Sequence, residues 1–137
     1  MNDRDVIEIT GKEKEALKEF LKVLHRERDS IISFSLEGII RGNTRKEEIF
    51  QKLEHLKSEK DKIFKSVDNE NVLFKSETWK LLTAEIEHTL KEIKTVLQKN
   101  TKLLSFSIDY ARSSMEHILV FINKETQEKS VLFPRVI

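Results

Sequence analysis

The longest stretch of this chain without a glycine or a proline runs from Asn43 to Phe133, ninety-one residues in all. Glycine and proline mark the turns of most folds, and apolar side chains recur at helical spacing along much of this stretch. The loops that carry catalytic residues in enzymes are rich in the residue types that are missing here. We therefore expect a helical chain that presents a surface to a partner, not a catalytic pocket.

Composition narrows the class of protein. The chain has 25 Lys and Arg against 24 Asp and Glu, and the two signs alternate along its length, which argues against a nucleic-acid-binding surface. It has no cysteine, which excludes disulfides, thiolate catalysis and cysteine-ligated zinc. Its start is polar, and no apolar run approaches the roughly 18 residues of a membrane span. We expect a soluble, cytoplasmic protein with no membrane span.

Two capping boxes divide the first half of the chain. Thr10 with Glu13, and Thr44 with Glu47, have the spacing at which a hydroxyl and a carboxylate satisfy the free amides at a helix start. Gly42 is of the residue type that commonly ends a helix. The predicted elements are helix 1, about 11–41, and helix 2, about 44–67.

The second half of the chain predicts one long helix over about 77–122. Its apolar positions recur with a mean step of about 3.6 residues, which favours a nearly straight helix in a bundle over a supercoiled heptad. Residues 123–137 form a predicted tail, polar and frayed at first, then apolar and interrupted by Pro134. The predicted fold is a single all-α domain over 1–137, an antiparallel three-helix bundle or coiled coil with one long C-terminal helix.

Helix length raises the question of what covers the long helix. At 1.5 Å per residue it would span roughly 70 Å, against about 45 Å for helix 1 and about 35 Å for helix 2. In one arrangement, an end of the long helix lacks intramolecular cover and exposes apolar residues to a partner. In the other, helices 1 and 2 lie end to end along it and cover the whole apolar stripe. The sequence leaves both open.

The sequence gives little support for a catalytic site or a metal site. Glu85 and His88 have the Glu-x-x-His spacing of di-iron bundles, but that chemistry needs a second such pair. None of the other three histidines has a glutamate three residues before it. No serine stands in a glycine-flanked nucleophile elbow, and no glycine-rich phosphate loop is present. The sequence predicts no catalytic residue, no metal site and no cofactor.

Two single residues of the long helix have both a structural and a functional interpretation. Asn100 lies on the apolar stripe, where a buried asparagine commonly fixes the register between helices, and ligand binding is the alternative. Trp79, near the start of the helix, is interpreted as a core anchor, with the floor of a binding groove as the alternative.

Several features occur in a characteristic order along the chain: Glu27, the segment 33–37, the segment 43–46, Trp79, Leu82, Asn100, Leu103, Leu104 and the segment 107–110. In these features the chain resembles the FlgN family, the cytoplasmic flagellar export chaperones of the hook-filament junction proteins. The resemblance covers roughly residues 15–122.

The resemblance implies protection of a client and not turnover of a substrate. Members of the family hold the amphipathic terminal helices of junction proteins and keep them unassembled before export, which implies a client helix laid along the chaperone. Docking to the export gate would fall to the region near or after residue 122, with Leu132 and Phe133 as candidate tail residues. The implied partner-binding residues lie in the C-terminal part of the long helix: Leu104, Ile108, Ala111, Met115, Ile118, Leu119 and Ile122.

A second function remains open at this point. The chain could be a structural helical adaptor or a self-associating coiled coil, in which the same apolar stripe is buried against another copy in a homodimer. For each of the seven implied partner-binding residues, ordinary bundle core is the competing interpretation.

Overall fold

The computed structural model describes residues 2–65 and 70–132. The all-α fold with one long C-terminal helix is confirmed. The chain divides into two compact units, unit 1 (Met1–Thr101) and unit 2 (Lys102–Ile137). That the whole of 1–137 is a single domain stays a prediction. Within the described ranges there is no strand, and the helices are α1 (Asn2–Ile32), α2 (Leu36–Phe64), α3 (Glu70–Lys75) and α4 (Glu77–Leu132).

In unit 1, α1 and α2 lie side by side and run in opposite directions. The early α1 residue Glu13 pairs with Lys60, near the end of α2, at 2.8 Å. The later α1 residue Glu27 pairs with Lys46, which is nearer the start of α2. The two helices are therefore antiparallel neighbours. The arrangement in which helices 1 and 2 lie end to end is wrong.

The first part of α4 runs parallel to α1. Lys14 of α1 pairs with Glu85 of α4 at 3.3 Å. Farther along both helices, the Leu24 carbonyl accepts a hydrogen bond from Asn100. Because residue numbers rise together in the two helices, they point the same way and α4 is antiparallel to α2. Unit 1 is thus an up-down-up arrangement, the antiparallel three-helix bundle that the sequence predicts.

Apolar side chains from all three helical segments form the core of unit 1. Fully burying a side chain the size of Leu or Ile contributes about 1.5–3 kcal/mol. Helices in proteins gain most of their stability from such packing and not from intrinsic propensity. The core consists of Ala16, Phe20, Val23, Leu24, Ile49 and Ile93, with Leu17, Leu21, Leu53 and Val96 packed against them.

Aromatic side chains pack together where α2 ends and α4 begins. The rings of Phe64, Phe74 and Trp79 have centroids 5.6–6.3 Å apart. The Lys60 ammonium lies 5.5 Å from the Trp79 ring centroid, and Leu73 of α3 is buried. Aromatic pairs of this kind contribute about 0.5–1.5 kcal/mol beyond the area that they bury. Trp79 is half-buried in this cluster, which supports its interpretation as a core anchor.

The start of α1 at Asn2 corrects the start predicted at about residue 11. Val6 and Ile9 are buried, so the first turns of α1 are part of the packed unit. Two aspartates in the first turn also complement the positive end of the helix dipole. The prediction failed because tertiary burial extends the helix past the local capping signal.

A tight turn joins α1 to α2. The Ser35 amide donates to the Ser30 carbonyl at 2.8 Å, and the Phe34 amide donates to the Ile31 carbonyl at 3.1 Å. Phe34 has a φ of 54°. These features define a Schellman motif, with Phe34 in the left-handed position that glycine commonly occupies. The Ser35 side chain then caps α2 by accepting a hydrogen bond from the Gly38 amide at 3.1 Å.

This turn shows that the boundary predicted between helices 1 and 2, at residues 41–44, is wrong. Thr10 and Thr44 lie inside helices, where each hydroxyl donates to the carbonyl four residues earlier, at 2.7 and 3.2 Å. Gly42 also lies inside α2. A threonine hydroxyl finds a backbone partner in a helix interior as well as at a cap. The capping-box spacing alone therefore does not show whether the threonine begins a helix or lies inside one. The true cap, Ser35, has Gly38 where a capping box would have a glutamate.

The predicted C-terminal ends of helix 2 and of the long helix also differ from those in the structure. α2 ends at Phe64, and its predicted end at about residue 67 lies outside the described residues. α4 continues to Leu132, so the prediction of a helix end at about 122 followed by a frayed tail is wrong for residues 123–132. These residues include several Lys, Glu and Gln, which are good helix formers, and Pro134 comes only after them.

A buried polar network joins all three helical segments of unit 1. The Asn100 side-chain amide donates to the Leu24 carbonyl at 2.8 Å and to Glu27 Oε1 at 3.1 Å. The other Glu27 oxygen accepts a hydrogen bond from the Lys46 ammonium of α2. Asn100 is 2% exposed and Glu27 is 9% exposed. Asn100 therefore stands where a register-fixing residue is expected, between α1 and α4.

We expect Phe34→Gly to stabilise the protein by about 0.5–1 kcal/mol. A left-handed conformation costs a residue with a Cβ about 1–2 kcal/mol, while glycine adopts it freely at some cost in chain entropy. Little burial is lost because Phe34 is 66% exposed. Urea unfolding followed by circular dichroism measures the change, and Phe34→Ala is the control that keeps the Cβ. A Phe34→Gly variant no more stable than Phe34→Ala would contradict the strained turn.

We expect Asn100→Ala to lower the free energy of unfolding by about 2–4 kcal/mol. The change leaves two buried acceptors, the Leu24 carbonyl and Glu27 Oε1, without their donor and opens a small cavity. The matched control is Thr101→Ala at the exposed neighbouring position, which should change stability by less than about 0.5 kcal/mol. Equal effects of the two substitutions in urea unfolding would show that the network contributes nothing.

Candidate partner-binding surface

Unit 2 consists, in its described part, of the last segment of α4. The seven residues that the resemblance singles out are all exposed there. At about 100° per residue they fall within an arc of about 100° of the helix surface. We call this arc the aliphatic face. Its residues are Leu104, Ile108, Ala111, Met115, Ile118, Leu119 and Ile122.

The aliphatic face does not behave as bundle core. Its large side chains range in exposure from 39% at Leu104 to 63% at Met115. A contiguous exposed patch of large apolar side chains is uncommon on a monomer and typically marks an interaction site. Of the two interpretations of these residues, exposed surface and buried core, the structure places them on the surface. A role in binding stays a prediction.

A second exposed apolar strip lies on the same helical segment. Phe106, Tyr110 and Phe121 are 61–69% exposed, and we call them the aromatic face. At about 100° per residue its centre lies roughly 140° around the helix from that of the aliphatic face. Sequence analysis missed this strip, although the i, i+4 spacing of Phe106 and Tyr110 was a signal for it.

Apart from the exposed Val120, mainly polar residues lie on the rest of the helix surface. Ser107 and Ser114 lie between the two apolar faces, and both are small. On the opposite side, Asp109, Arg112 and Glu116 form a charged strip. Apolar or small side chains therefore occupy more than half of the circumference, which is wider than the stripe of an ordinary surface helix.

The aliphatic face has the form that a helix-binding surface requires. Leu104, Ile108, Ala111 and Met115 follow one another at steps of four and three residues, the spacing of anchors between packed helices. The small side chain of Ala111 allows a close approach of a second backbone. Met115 is unbranched and polarisable, so it adapts to partners of different shape.

Both residues of the pair considered for metal binding contact other side chains of α1 or α4. Glu85 lies 3.3 Å from the Lys14 ammonium, and His88 lies 2.6 Å from Glu92. Among the residues that the structure describes, no cluster of three or more acidic or histidine side chains could hold a metal ion.

Two other predictions concern a membrane span and the tail residues, and the structure describes only part of the chain that they involve. The helices of the described part of the chain include none with a segment long and apolar enough to cross a membrane. Phe133, a candidate for tail docking, lies outside the described residues, and so does the side chain of Leu132.

A comparison with protein families decides what kind of chain this is. A family model described as FlgN protein matches residues 1–126. The chain belongs to the FlgN family. This membership implies a flagellar export chaperone role. The match includes the whole aliphatic face. A comparison with curated proteins finds no match to this FlgN chain, and neither does a comparison with solved structures.

We expect Met115→Asp to leave the fold of this FlgN protein unchanged. The side chain is 63% exposed, so a charge there stays hydrated, and the free energy of unfolding should change by less than about 0.5 kcal/mol. Leu24→Ala is the contrasting variant, because Leu24 is fully buried and its truncation should cost about 2–5 kcal/mol. Circular dichroism and urea unfolding compare the two. A large loss of stability in Met115→Asp would mean that the aliphatic face is buried in solution.

Proposed function

We propose that this FlgN protein is a cytoplasmic chaperone of flagellar type III export that binds the amphipathic terminal helices of hook-filament junction proteins. It keeps these clients unassembled until export and is not an enzyme. The observation that carries the proposal is the aliphatic face, seven exposed side chains on one face of α4 within the region that the family model matches.

The mechanism is burial of one apolar face by another. Junction proteins polymerise through terminal helices, and an amphipathic helix with anchors at i, i+3, i+4 and i+7 matches the spacing of the aliphatic face. While that helix lies on the chaperone, its apolar side is covered and cannot pair with another junction subunit. The client is therefore kept from assembling by competition for the same surface.

The strength of binding can be estimated from exposure. Six large side chains of the aliphatic face are about half exposed, and covering each of them contributes on the order of 1 kcal/mol. The sum, about 5–9 kcal/mol, is close to the cost of association, about 4–15 kcal/mol. A client that covers only this face would thus bind weakly. We expect the client to reach the aromatic face as well, and Phe106 and Tyr110 would then add the largest contacts.

The proposed docking to the export gate involves the end of the chain. Residues after Ile122, with Leu132 and Phe133 as candidates, would carry the loaded chaperone to the gate. Under this proposal, the residues for gate docking directly follow the residues for client binding along the chain. Release of the client would follow if the gate competes for residues near Ile122.

We expect calorimetric titration with a hook-junction protein to give a dissociation constant of about 1 μM or tighter. Binding should be lost when the client lacks its C-terminal helix. Met115→Asp should weaken it at least about a hundredfold, because an aspartate at the centre of the contact must be desolvated. The matched control is Ser105→Asp, which places the same charge outside the aliphatic face and near the charged strip of the helix. This variant should bind the client normally.

Two results would contradict this proposal. If Met115→Asp binds the client as well as the parent protein does, the aliphatic face is not the client site. If there is no binding and sedimentation shows a dimer at all concentrations, the same face is buried against a second copy. The chain would then be a self-associating coiled coil or a structural adaptor.

A further inference from the structure

The turn between α1 and α2 exposes three large apolar side chains. Ile32, Phe34 and Leu36 are 56–69% exposed and lie within five residues of one another along the chain. We call them the hairpin tip. They belong to unit 1 and are separate in sequence from the aliphatic and aromatic faces of unit 2.

Phe34 is less stabilising at its position than glycine would be. It occupies the left-handed position of the turn with a φ of 54°, where glycine would fit without strain. Its ring contributes little burial in return. Strained positions that persist in a folded protein tend to mark recognition or catalytic sites. The exposed ring of Phe34 is therefore a candidate contact for a partner.

A cavity of about 370 Å³ lies beside the hairpin tip, between α1 and α2. This volume is at the lower end of the range for sites that bind small molecules or single side chains. A Cβ built at Gly42 meets no atom within 4 Å, so the wall of the cavity is open at this position. The lining residues are Val23, Arg26, Glu27, Ser30, Gly38, Arg41, Gly42 and Arg45.

The lining of the cavity is basic. It includes three arginines and one carboxylate, Glu27, and that carboxylate is already paired with Lys46. Within the described part of the chain, Arg26 has no hydrogen-bond or ion-pair partner, and no acidic residue other than Glu27 lines the cavity. An anionic group that entered would therefore meet the unpaired Arg26 guanidinium, with Arg41 and Arg45 beside it.

Two of the three arginines are held only by exposed pairs. Arg41 pairs with Glu37 at 2.6 Å, and Arg45 pairs with Glu48 at 2.8 Å and with Glu19 of α1 at 3.1 Å. The hydrogen bond to Glu48 raises the pKa of Arg45. Each exposed ion pair contributes about 0–1 kcal/mol, so a carboxylate in the cavity could recruit Arg41 at the cost of one such pair and Arg45 at the cost of two.

We propose that the hairpin tip and the adjoining cavity form a second docking site, which binds an acidic amphipathic segment of a partner protein. An apolar side chain of the segment covers Phe34 and Leu36, and a carboxylate enters the cavity and is bound by Arg26, Arg41 and Arg45. The guanidinium groups suit a carboxylate because they bind it through two parallel hydrogen bonds. This site goes beyond the client site of unit 2.

The charge pattern favours a protein partner over a membrane surface. An anionic bilayer needs a broad basic face, whereas Asp29 and Glu37 flank the hairpin tip on its two helices. The basic groups instead converge on one concave site. A concave site with mixed charge around it fits a single acidic side chain next to an apolar one.

The test uses the full-length protein, labelled with nitrogen-15, and a short acetylated and amidated helical peptide with leucines on one face and glutamates beside them. Titration to about 1 mM should shift the side-chain NεH signals of the three arginines and the amides near Phe34. The same peptide with glutamine in place of glutamate should bind at least about tenfold more weakly. Absence of these shifts, or equal binding of the two peptides, would overturn the proposal.

Two variants separate a docking role from a structural one. Gly42→Leu fills the cavity without meeting another atom at its Cβ and should weaken peptide binding at least about tenfold, while Gly42→Ala should retain most of it. Phe34→Gly should be more stable than the parent protein and yet bind the peptide more weakly. Both weakened variants should still bind a junction protein, and Met115→Asp should still bind the peptide.

Anionic vesicles of phosphatidylglycerol provide the contrasting probe. Sedimentation with these vesicles should recover little of the protein. If the vesicles recover it and Gly42→Leu abolishes that recovery, the cavity binds lipid headgroups and the proposal of a protein partner is wrong. Unchanged peptide binding by Gly42→Leu would equally exclude the cavity.

Discussion

The register of α1, α2 and α4 in unit 1 depends on one buried network of polar side chains. Apolar packing holds helices together but is nearly indifferent to sliding, because one apolar side chain can replace another at a contact. The bonds among Asn100, Glu27 and Lys46 are directional, and the alternative to making them is to bury a charge and an amide without partners. A shift of any helix by one turn would break this network. It therefore fixes the register that packing leaves loose.

Unit 2 has no comparable source of order. No side chain is buried between residues 102 and 126, the part of this unit whose side chains the structure describes. A helical segment without buried side chains lacks the tertiary packing from which helices in proteins gain most of their stability. A partner that covers the aliphatic face would supply the missing packing. If the proposed client binds there, client binding and helix stability would be linked, and the chain would gain order from the same contacts that protect the client.

Sequence patterns predicted those parts of the molecule that depend on periodicity. The helical class, the long last helix, the place of Asn100 on the apolar stripe and the alignment of the aliphatic-face residues on one side of α4 all follow from apolar spacing, which a helix converts directly into a face. The α1–α2 turn was missed because Phe34 carries no sequence signal for a left-handed conformation, and because its cap, Ser35, lacks the usual glutamate. Periodicity also cannot say whether a face is covered, since core and interface have the same pattern.

Two places in this chain give up stability that a different residue would supply. At Phe34 the cost is backbone strain, and along the aliphatic face it is apolar surface left in water. Selection for folding alone would favour glycine at the first and polar residues along the second. The two places lie in different units and expose different chemistry, an aromatic tip beside arginines and an aliphatic helix face. Two separate costs of this kind agree with the two proposed sites, one for a client and one for a second partner.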